Sequence, residues 1–406
     1  MRVIIIGAGI GGSALALTLE QLGLDYVVLE QAGEFGDVGA GIQLSPNGVR
    51  ILEQLGLGED LPNYVTEPDC HKMVSWDTGE IVLRTPLMPM VKETFGAAYY
   101  HAHRRDLISS LTSRLNMDRV QMNVQVSDVG QDANGIWAEC SDGTRYEGDV
   151  LIGADGIHSL VRERIFRPDE MRPSGYVAWR GIVPADKLAH LDIPVSSYIV
   201  MGPRLSFVFY YVAGGRELNW LALGQTEDEK RESWSQTASK NEVLAAFEGW
   251  YDLPKQIIDA TESLFVTALY DRQPLGHWVE GRIAVMGDAA HAMLPYHAQG
   301  AVQSIKDAWM LGRCLADEPS DVQGALGKFE ALRHDRATRM VQHSHNAQGW
   351  YHIDDPVEVE ARNNRFRNIG EQTGGGFTKQ QTWLYAYDAE KAVLGTDDEW
   401  RGLPDW

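Results

Sequence analysis

The chain has 406 residues, 44% of them hydrophobic, and carries 57 acidic against 36 basic side chains, a net charge of −21. Such a field repels nucleic acid and anionic membrane surfaces, so neither is an expected partner, and any anionic ligand must depend on local arginines. No apolar run approaches the ~18 residues of a spanning helix. The three cysteines show no disulfide or zinc spacing, and the first strand begins at residue 2, so a soluble cytoplasmic protein is expected. The length suits two joined domains at ~100–200 residues each.

Arg2–Ile6 is a β-branched run that feeds Gly7-Ala8-Gly9-Ile10-Gly11-Gly12, so Gly7, Gly9 and Gly12 satisfy G-x-G-x-x-G. A helix is expected over Ser13–Leu22, closed by Gly23, and then a strand over Tyr26–Leu29 ending at Glu30. Strand, glycine turn, helix, strand and acid is the arrangement that brings backbone amides to a pyrophosphate and a carboxylate to ribose hydroxyls. This context selects a dinucleotide, without deciding between FAD and NAD.

Gly39-Ala40-Gly41-Ile42-Gln43 leads to Ser45 and Pro46, an N-cap and a first helical position for a helix to Leu55 that carries Arg50. From about Val74 to Tyr99 the pattern is β-like. His103-Arg104-Arg105-Asp106-Leu107 opens a helix toward Leu115, and Arg119–Val126 reads as a strand. Turns at Ala133-Asn134-Gly135 and Ser141-Asp142-Gly143 mark hairpins. Val150–Ile152 feeds another glycine turn, Gly153-Ala154-Asp155-Gly156, with Ser159 and Arg162 beyond. Alternating strands then run from Tyr176 to about Asp271, with Trp179, Arg180, Arg204 and Tyr210 as candidates to line a pocket.

Ile283–Met286 is a third strand that ends in glycine, at Gly287-Asp288. Pro295 stiffens the path, and Gly300 opens a helix with Val302, Ile305 and Trp309 on one face and Lys306 and Asp307 on the other. Helix is expected onward to about Ala347. A strand end, a carboxylate and a bare helix N-terminus thus converge on one crevice. His334, His343, His345 and His352 do not make a metal site: His343 and His345 are two apart, which splays them on a helix.

Gly287-Asp288-Ala289-Ala290-His291 with Pro295 and Gln299-Gly300, together with G-A-D-G-x-x-S-x-x-R at Gly153–Arg162 and H-R-x-D-L at His103–Leu107, resembles the single-component (class A) FAD-dependent aromatic hydroxylases. The ending Trp383-Leu384-Tyr385-Ala386-Tyr387-Asp388 is similar to that of salicylate-hydroxylase-like members, and 6-hydroxynicotinate-3-monooxygenase-like members are the other close type. The resemblance implies an α/β fold: a Rossmann-like FAD-binding domain of the para-hydroxybenzoate-hydroxylase type, a mixed β-sheet substrate domain and a helical C-terminal section. It divides the chain into FAD-binding parts 1–73, 99–171 and 273–330, substrate parts 74–98 and 172–272, and a C-terminal section 331–406.

Carried over, FAD is held by Gly7, Gly9, Gly11, Gly12, Glu30 and Gln31, with the Val126 backbone at adenine. Asp288 takes the ribityl chain, and the amides of Gly300 and Ala301, after Pro295, face the flavin N1–C2=O edge. Gln43 and Arg104 touch the flavin region, and Asp155 belongs to the motif shared with the nicotinamide coenzyme. The implied reaction is hydroxylation of a small phenolic, acidic or N-heteroaromatic ring with NADH or NADPH and O2 through a flavin C4a-hydroperoxide, by a monomer or homodimer. Three positions depart from the family, one of them Arg105, which replaces the usual small residue. Ser206 stands where phenol-hydroxylating relatives often have His, leaving Tyr210 and His297 as proton acceptors, and Lys306 replaces the Glu of I-E-D-A. Epoxidation, N-hydroxylation, alkene reduction, or a flavin protein without turnover are the alternatives. The purified protein should be yellow and release FAD, and Glu30→Ala should weaken its binding; an FMN or NAD peak on chromatography would overturn the motif reading.

Overall fold

In the computed structural model, which describes residues 1–35, 40–133, 135–166, 171–225 and 236–396, Arg2–Ile6 is a central strand with Val3, Ile4 and Ile5 wholly buried. It pairs in parallel with Asp25–Leu29 on one side and Val150–Gly153 on the other. Ile283–Val285 continues the parallel array, and Val120–Gln121 and Val279–Glu280 complete a six-stranded sheet. Parallel strands are covered on both faces, which is why these segments read as unbroken apolar runs. Gly39 and Asn134 lie outside the described residues.

The second sheet has eight strands in spatial order Gln236–Thr237, Leu264–Asp271, Arg172–Pro184, Glu217–Gln225, Leu205–Val212, Ser197–Gly202, Cys70–Ser75 and Ile81–Pro86. Its neighbours are antiparallel except for Ser197–Gly202 with Cys70–Ser75. Strand side chains alternate between faces. Phe207, Phe209 and Leu218 therefore enter a core with Val243, Phe247, Ile257 and Ile258, while Val208, Tyr210 and Leu221 turn the other way, toward the first sheet's ligand end.

Several local expectations change. The first helix is Ile10–Gln21 and begins inside the glycine motif, because Gly11 and Gly12 take helical geometry. Met90–Phe95 is helical, and Arg119–Val126 resolves into a turn of 3-10 helix (Met117–Arg119), the short strand Val120–Gln121 and a new strand from Val126. The Ser45 hydroxyl donates to Asn47 Oδ1 at 2.6 Å in place of accepting from a helix amide. The long C-terminal helix is two, Gly300–Asp317 and Val322–Tyr351, the second capped by Asp321 accepting from the Gly324 amide.

Lys306 and Asp307 are not on a polar face, since both are fully buried. Asp307 Oδ2 accepts from the Gly287 amide at 2.9 Å and from His291 Nε2 at 2.5 Å, and its Oδ1 accepts from Arg333 Nε at 2.7 Å. Arg333 continues to Gln303, and Gln299 reaches Ser45. Lys306 places its Nζ over the Tyr387 ring at 5.3 Å, among Arg50, Arg333 and Arg336. Burial first, then these neighbouring guanidiniums, push its pKa well below the usual lysine value, which favours the neutral amine at this buried position.

Burial alone would raise the Asp307 pKa, but His291, Arg333 and the Gly287 amide outweigh it and hold the carboxyl well below the ordinary range. Its contribution is therefore present above the unfolded value of about 3.9 and is lost as pH falls further. Asp307→Ala leaves Arg333 buried without its counter-charge and should lower unfolding free energy by about 3–5 kcal/mol near neutral pH. The gap between variant and parent in denaturant titrations should narrow progressively as pH falls below about 4; a pH-independent gap would refute the ionised assignment.

Candidate active site and cofactor crevice

A crevice of about 1530 Å3 lies between the two sheets. One wall carries the N-termini of the Ile10–Gln21 and Gly300–Asp317 helices. The opposite wall is the turned face of the eight-stranded sheet, and the helices Pro356–Gln372 and Lys379–Ala386 close its outer end.

Both helix N-termini are bare: neither Gly9 nor Gln299, the N-cap residues, makes a side-chain cap, and neither first turn holds an acid. Their free amides and positive dipole ends face the crevice, a setting for negatively charged oxygen. The Gly7–Gly12 turn is closed so tightly that a Cβ on Gly12 would sit 1.9 Å from the Gly7 carbonyl oxygen. Gly287 adopts φ +59°, which points Asp288 off the strand end. Asp288 is exposed where it lines the crevice, and the surrounding protein pushes its carboxyl pKa up against the pull of His291 and Arg104. Its Oδ1 lies 3.9 Å from where a Gly300 Cβ would be. Arg104, Pro295 and Ala301 line the same space.

The remaining cradle residues act around its edge. Glu30 accepts from the Ala8 amide at 2.6 Å and the Ala32 amide at 2.8 Å, with Gln31 exposed on that loop. The Val124 amide bonds the Glu30 carbonyl at 2.8 Å and so brings the strand start at Val126 to this end. Asp155 turns its carboxylate to Ser159 Oγ and the Val161 amide, bracing the Leu160–Ile165 helix, while Gly156 lines the crevice. Arg162 is buried and donates to the carbonyls of Ala289 and Ala290, which ties the second glycine motif to the third. Two bare helix ends, a sealed glycine turn and an inward carboxylate suit a dinucleotide such as FAD.

Tyr210, Arg180 and His71 line the crevice from the eight-stranded sheet, Gln43 from the two-stranded pair Gly41–Leu44 and Tyr100–His103, Tyr99 from just before that pair's second strand, and His297 from the turn Pro295–His297 before the Gly300 helix. The Tyr99 hydroxyl donates to Gln43 Oε1 at 2.6 Å, and the Tyr210 ring lies tilted by 37° against buried His101, their centroids 4.3 Å apart. Burial raises the Tyr210 pKa above its ordinary value, with Arg180 and Gln43 opposing, so the phenol stays protonated at neutral pH. Burial likewise pushes the His297 pKa down to about 4, helped by His343 at 6.4 Å. A neutral His297 offers a lone pair.

Two expected pocket residues lie elsewhere. Trp179 alternates to the core side beside Arg180, and Arg204 is exposed on a strand turn, paired with Asp354. Arg50 donates to the carbonyls of Phe95, Tyr385 and Tyr387 and straps the C-terminal helix down. Arg105 is half-exposed beside Asp106 at 3.5 Å. Ser206 receives an imidazole from outside its strand: His352 Nε2 lies 2.9 Å from its Oγ. His71 and Tyr99 escaped the sequence reading. The signal for His71 was strand parity, since Cys70, Lys72 and Val74 are buried while His71 and Met73 turn to the crevice.

The family model described as "FAD binding domain" matches residues 1–344. The chain is 34% identical to 3-amino-4-hydroxybenzoate 2-monooxygenase from Streptomyces cremeus, over 96% of each chain. It is 32% identical to 3-hydroxybenzoate 6-hydroxylase from Klebsiella oxytoca, over 97% of this chain and 98% of that one. Among solved structures, Klebsiella pneumoniae HpxO complexed with FAD and uric acid superposes with a TM-score of 0.81 at 26% identity, over 98% of this chain and 95% of that one. Asp288→Ala should therefore fold yet weaken FAD roughly 10- to 150-fold, the loss expected for one charge-assisted hydrogen bond; unchanged affinity in a fluorescence titration would exclude the ribityl assignment. With the family model spanning most of the chain and full-length relatives of that type, the chain belongs to the FAD-binding-domain family, as an FAD-dependent aromatic hydroxylase.

Proposed function

We propose that the substrate is a small hydroxylated aromatic acid, converted with NAD(P)H and O2 into a product bearing one more hydroxyl, with water and NAD(P)+ formed alongside. The observation that carries this reading is that one crevice is lined both by the cofactor cradle at Asp288 and Gly300 and by Tyr210, His297 and Arg180. The two relatives named above act on hydroxybenzoates. When bound, FAD supplies the electron transfer from NAD(P)H and the delivery of one oxygen atom from O2. We assign the ribityl chain to Asp288 and the flavin edge to the amides of Gly300 and Ala301, with residues 1–73, 99–171 and 273–330 as the FAD-binding parts. The three cysteines are free and buried, which supports work in a reducing cytosol. A monomer or homodimer is the assembly we propose, supported by a crevice lined by residues of one chain.

The residues divide the proton chemistry between them. An electron-rich ring reacts best with its phenol ionised, and a phenol of pKa near ~10 needs an acceptor at neutral pH. Tyr210, protonated, is the donor that steadies the resulting oxygen anion. His297, neutral, is the acceptor, and its side of the crevice carries Tyr296 and Leu294, which keep water from the reacting ring.

Substrate-stimulated NAD(P)H oxidation with oxygen uptake and a hydroxylated product tests the reaction. His297→Ala should leave flavin reduction nearly intact and raise peroxide release at the expense of product. Because the acceptor form of His297 is lost only as pH falls through about 4, the parent should show no coupling limb near the ordinary histidine value of ~6.5. Wild-type coupling in His297→Ala would remove it from the mechanism.

A further inference from the structure

Among the described residues, Asp288 is the one carboxylate that lines the crevice, against Arg104, Arg180, Arg362, Arg365 and Lys379. In a chain with 57 acidic residues, that is a local reversal of sign, and it selects for an anion. His71 lines this crevice from the eight-stranded sheet, as Arg180 and Tyr210 do. It lies on Cys70–Ser75, in register with Thr85 and Ser197, and its ring meets Tyr99 edge-on at 4.9 Å. Tyr99 in turn donates to Gln43, so His71 is two side chains from the residue expected beside the flavin.

The ring has one sealed edge. His71 Nδ1 is buried and has no hydrogen-bond partner, which leaves Nε2 as the polar edge turned to the crevice. Burial pushes the ring's pKa down to about 4, so it is neutral and carries a single N–H. A sealed N–H without an acceptor is the costlier error, so the proton belongs on Nε2. His71 then joins Tyr210 and Arg180 as a donor on the substrate wall.

We propose that His71 is a substrate-contacting residue, donating a hydrogen bond from Nε2 to an oxygen anion on the aromatic ring, a carboxylate or a phenolate. The assignment rests on the reading of this sheet face as the substrate wall. It names a specificity residue on a strand that contributes none of the motif residues.

The test uses the FAD-loaded full chain and two probes, benzoate and 4-nitrophenol. Benzoate is followed by its perturbation of the flavin absorbance, and 4-nitrophenol by the visible absorbance of its ionised form. His71→Leu, checked for FAD content and melting, should weaken benzoate about tenfold or more if the partner is a carboxylate. If the partner is a phenolate, the ionisation constant of bound nitrophenol should fall by a similar factor. His71→Gln, which keeps a donor near the Nε2 position, should restore most of either effect, and aniline, a neutral ring, should bind all forms alike. Should His71→Leu fail to fold, His71→Asn replaces it, since its amide reaches only the sealed edge. Changes within twofold for both probes, or a Gln variant that behaves like Leu, overturn the proposal. A wild-type flavin that responds to no ring probe sinks the substrate-wall reading itself, and this assignment with it.

Discussion

One buried carboxylate, Asp307, holds the catalytic half of the molecule in register. It gathers the Gly287 amide, His291 and Arg333, so a strand end, a short turn and two helices share a single anchor. Removing one member of such a group leaves a stranded charge, whereas replacing all of it with well-packed apolar side chains is often neutral. The network's value therefore lies in geometry more than in net stability. It fixes the direction in which Gly287 releases Asp288, and through Gln303 and Gln299 it ties the start of the Gly300 helix to Ser45. Arg162 adds a second brace from the neighbouring glycine turn.

The crevice exists because two sheets meet with different rules of burial. The parallel sheet is covered on both faces and offers only strand ends and helix N-termini, which present backbone charge. The antiparallel sheet is covered on one face and offers the other, which presents side chains in alternation. The first kind of surface recognises a dinucleotide with few side chains. The second can be rewritten one residue in two without disturbing the core behind it, where Phe207 and Phe209 pack. Variation in substrate therefore belongs to Val208, Tyr210 and their neighbours, and constancy of cofactor to the turns.

This division also explains what the sequence made legible. The three glycine turns, Glu30, Asp288 and the Gly300 helix start were readable because a local backbone requirement dictates each residue type. Tyr210 came from the resemblance and His297 from its turn between Pro295 and Gln299, and both line the crevice. Arg204 and Trp179 misled because hydropathy gives a strand's alternation but not which face is later covered. Lys306 and Asp307 misled for a related reason: a charged pair on a helix reads as solvated unless its partners, here Arg333 and His291 from other segments, are known. His71 was silent because strand parity gains meaning only when the second sheet is assembled around it. His352 meeting Ser206 across 146 positions has no local signature at all.

The three thiols have a bearing on endurance. Any hydroxylase that reduces its flavin without a well-seated ring releases hydrogen peroxide beside its own side chains. Cysteine is attacked by peroxide as the thiolate, at rates set by ionisation and access. Cys70, Cys140 and Cys314 are all buried, and burial raises each pKa, to about 12 for Cys314. The protein thus keeps its three thiols both out of reach and in the unreactive form, so wasted turnovers spend reductant without oxidising these cysteines.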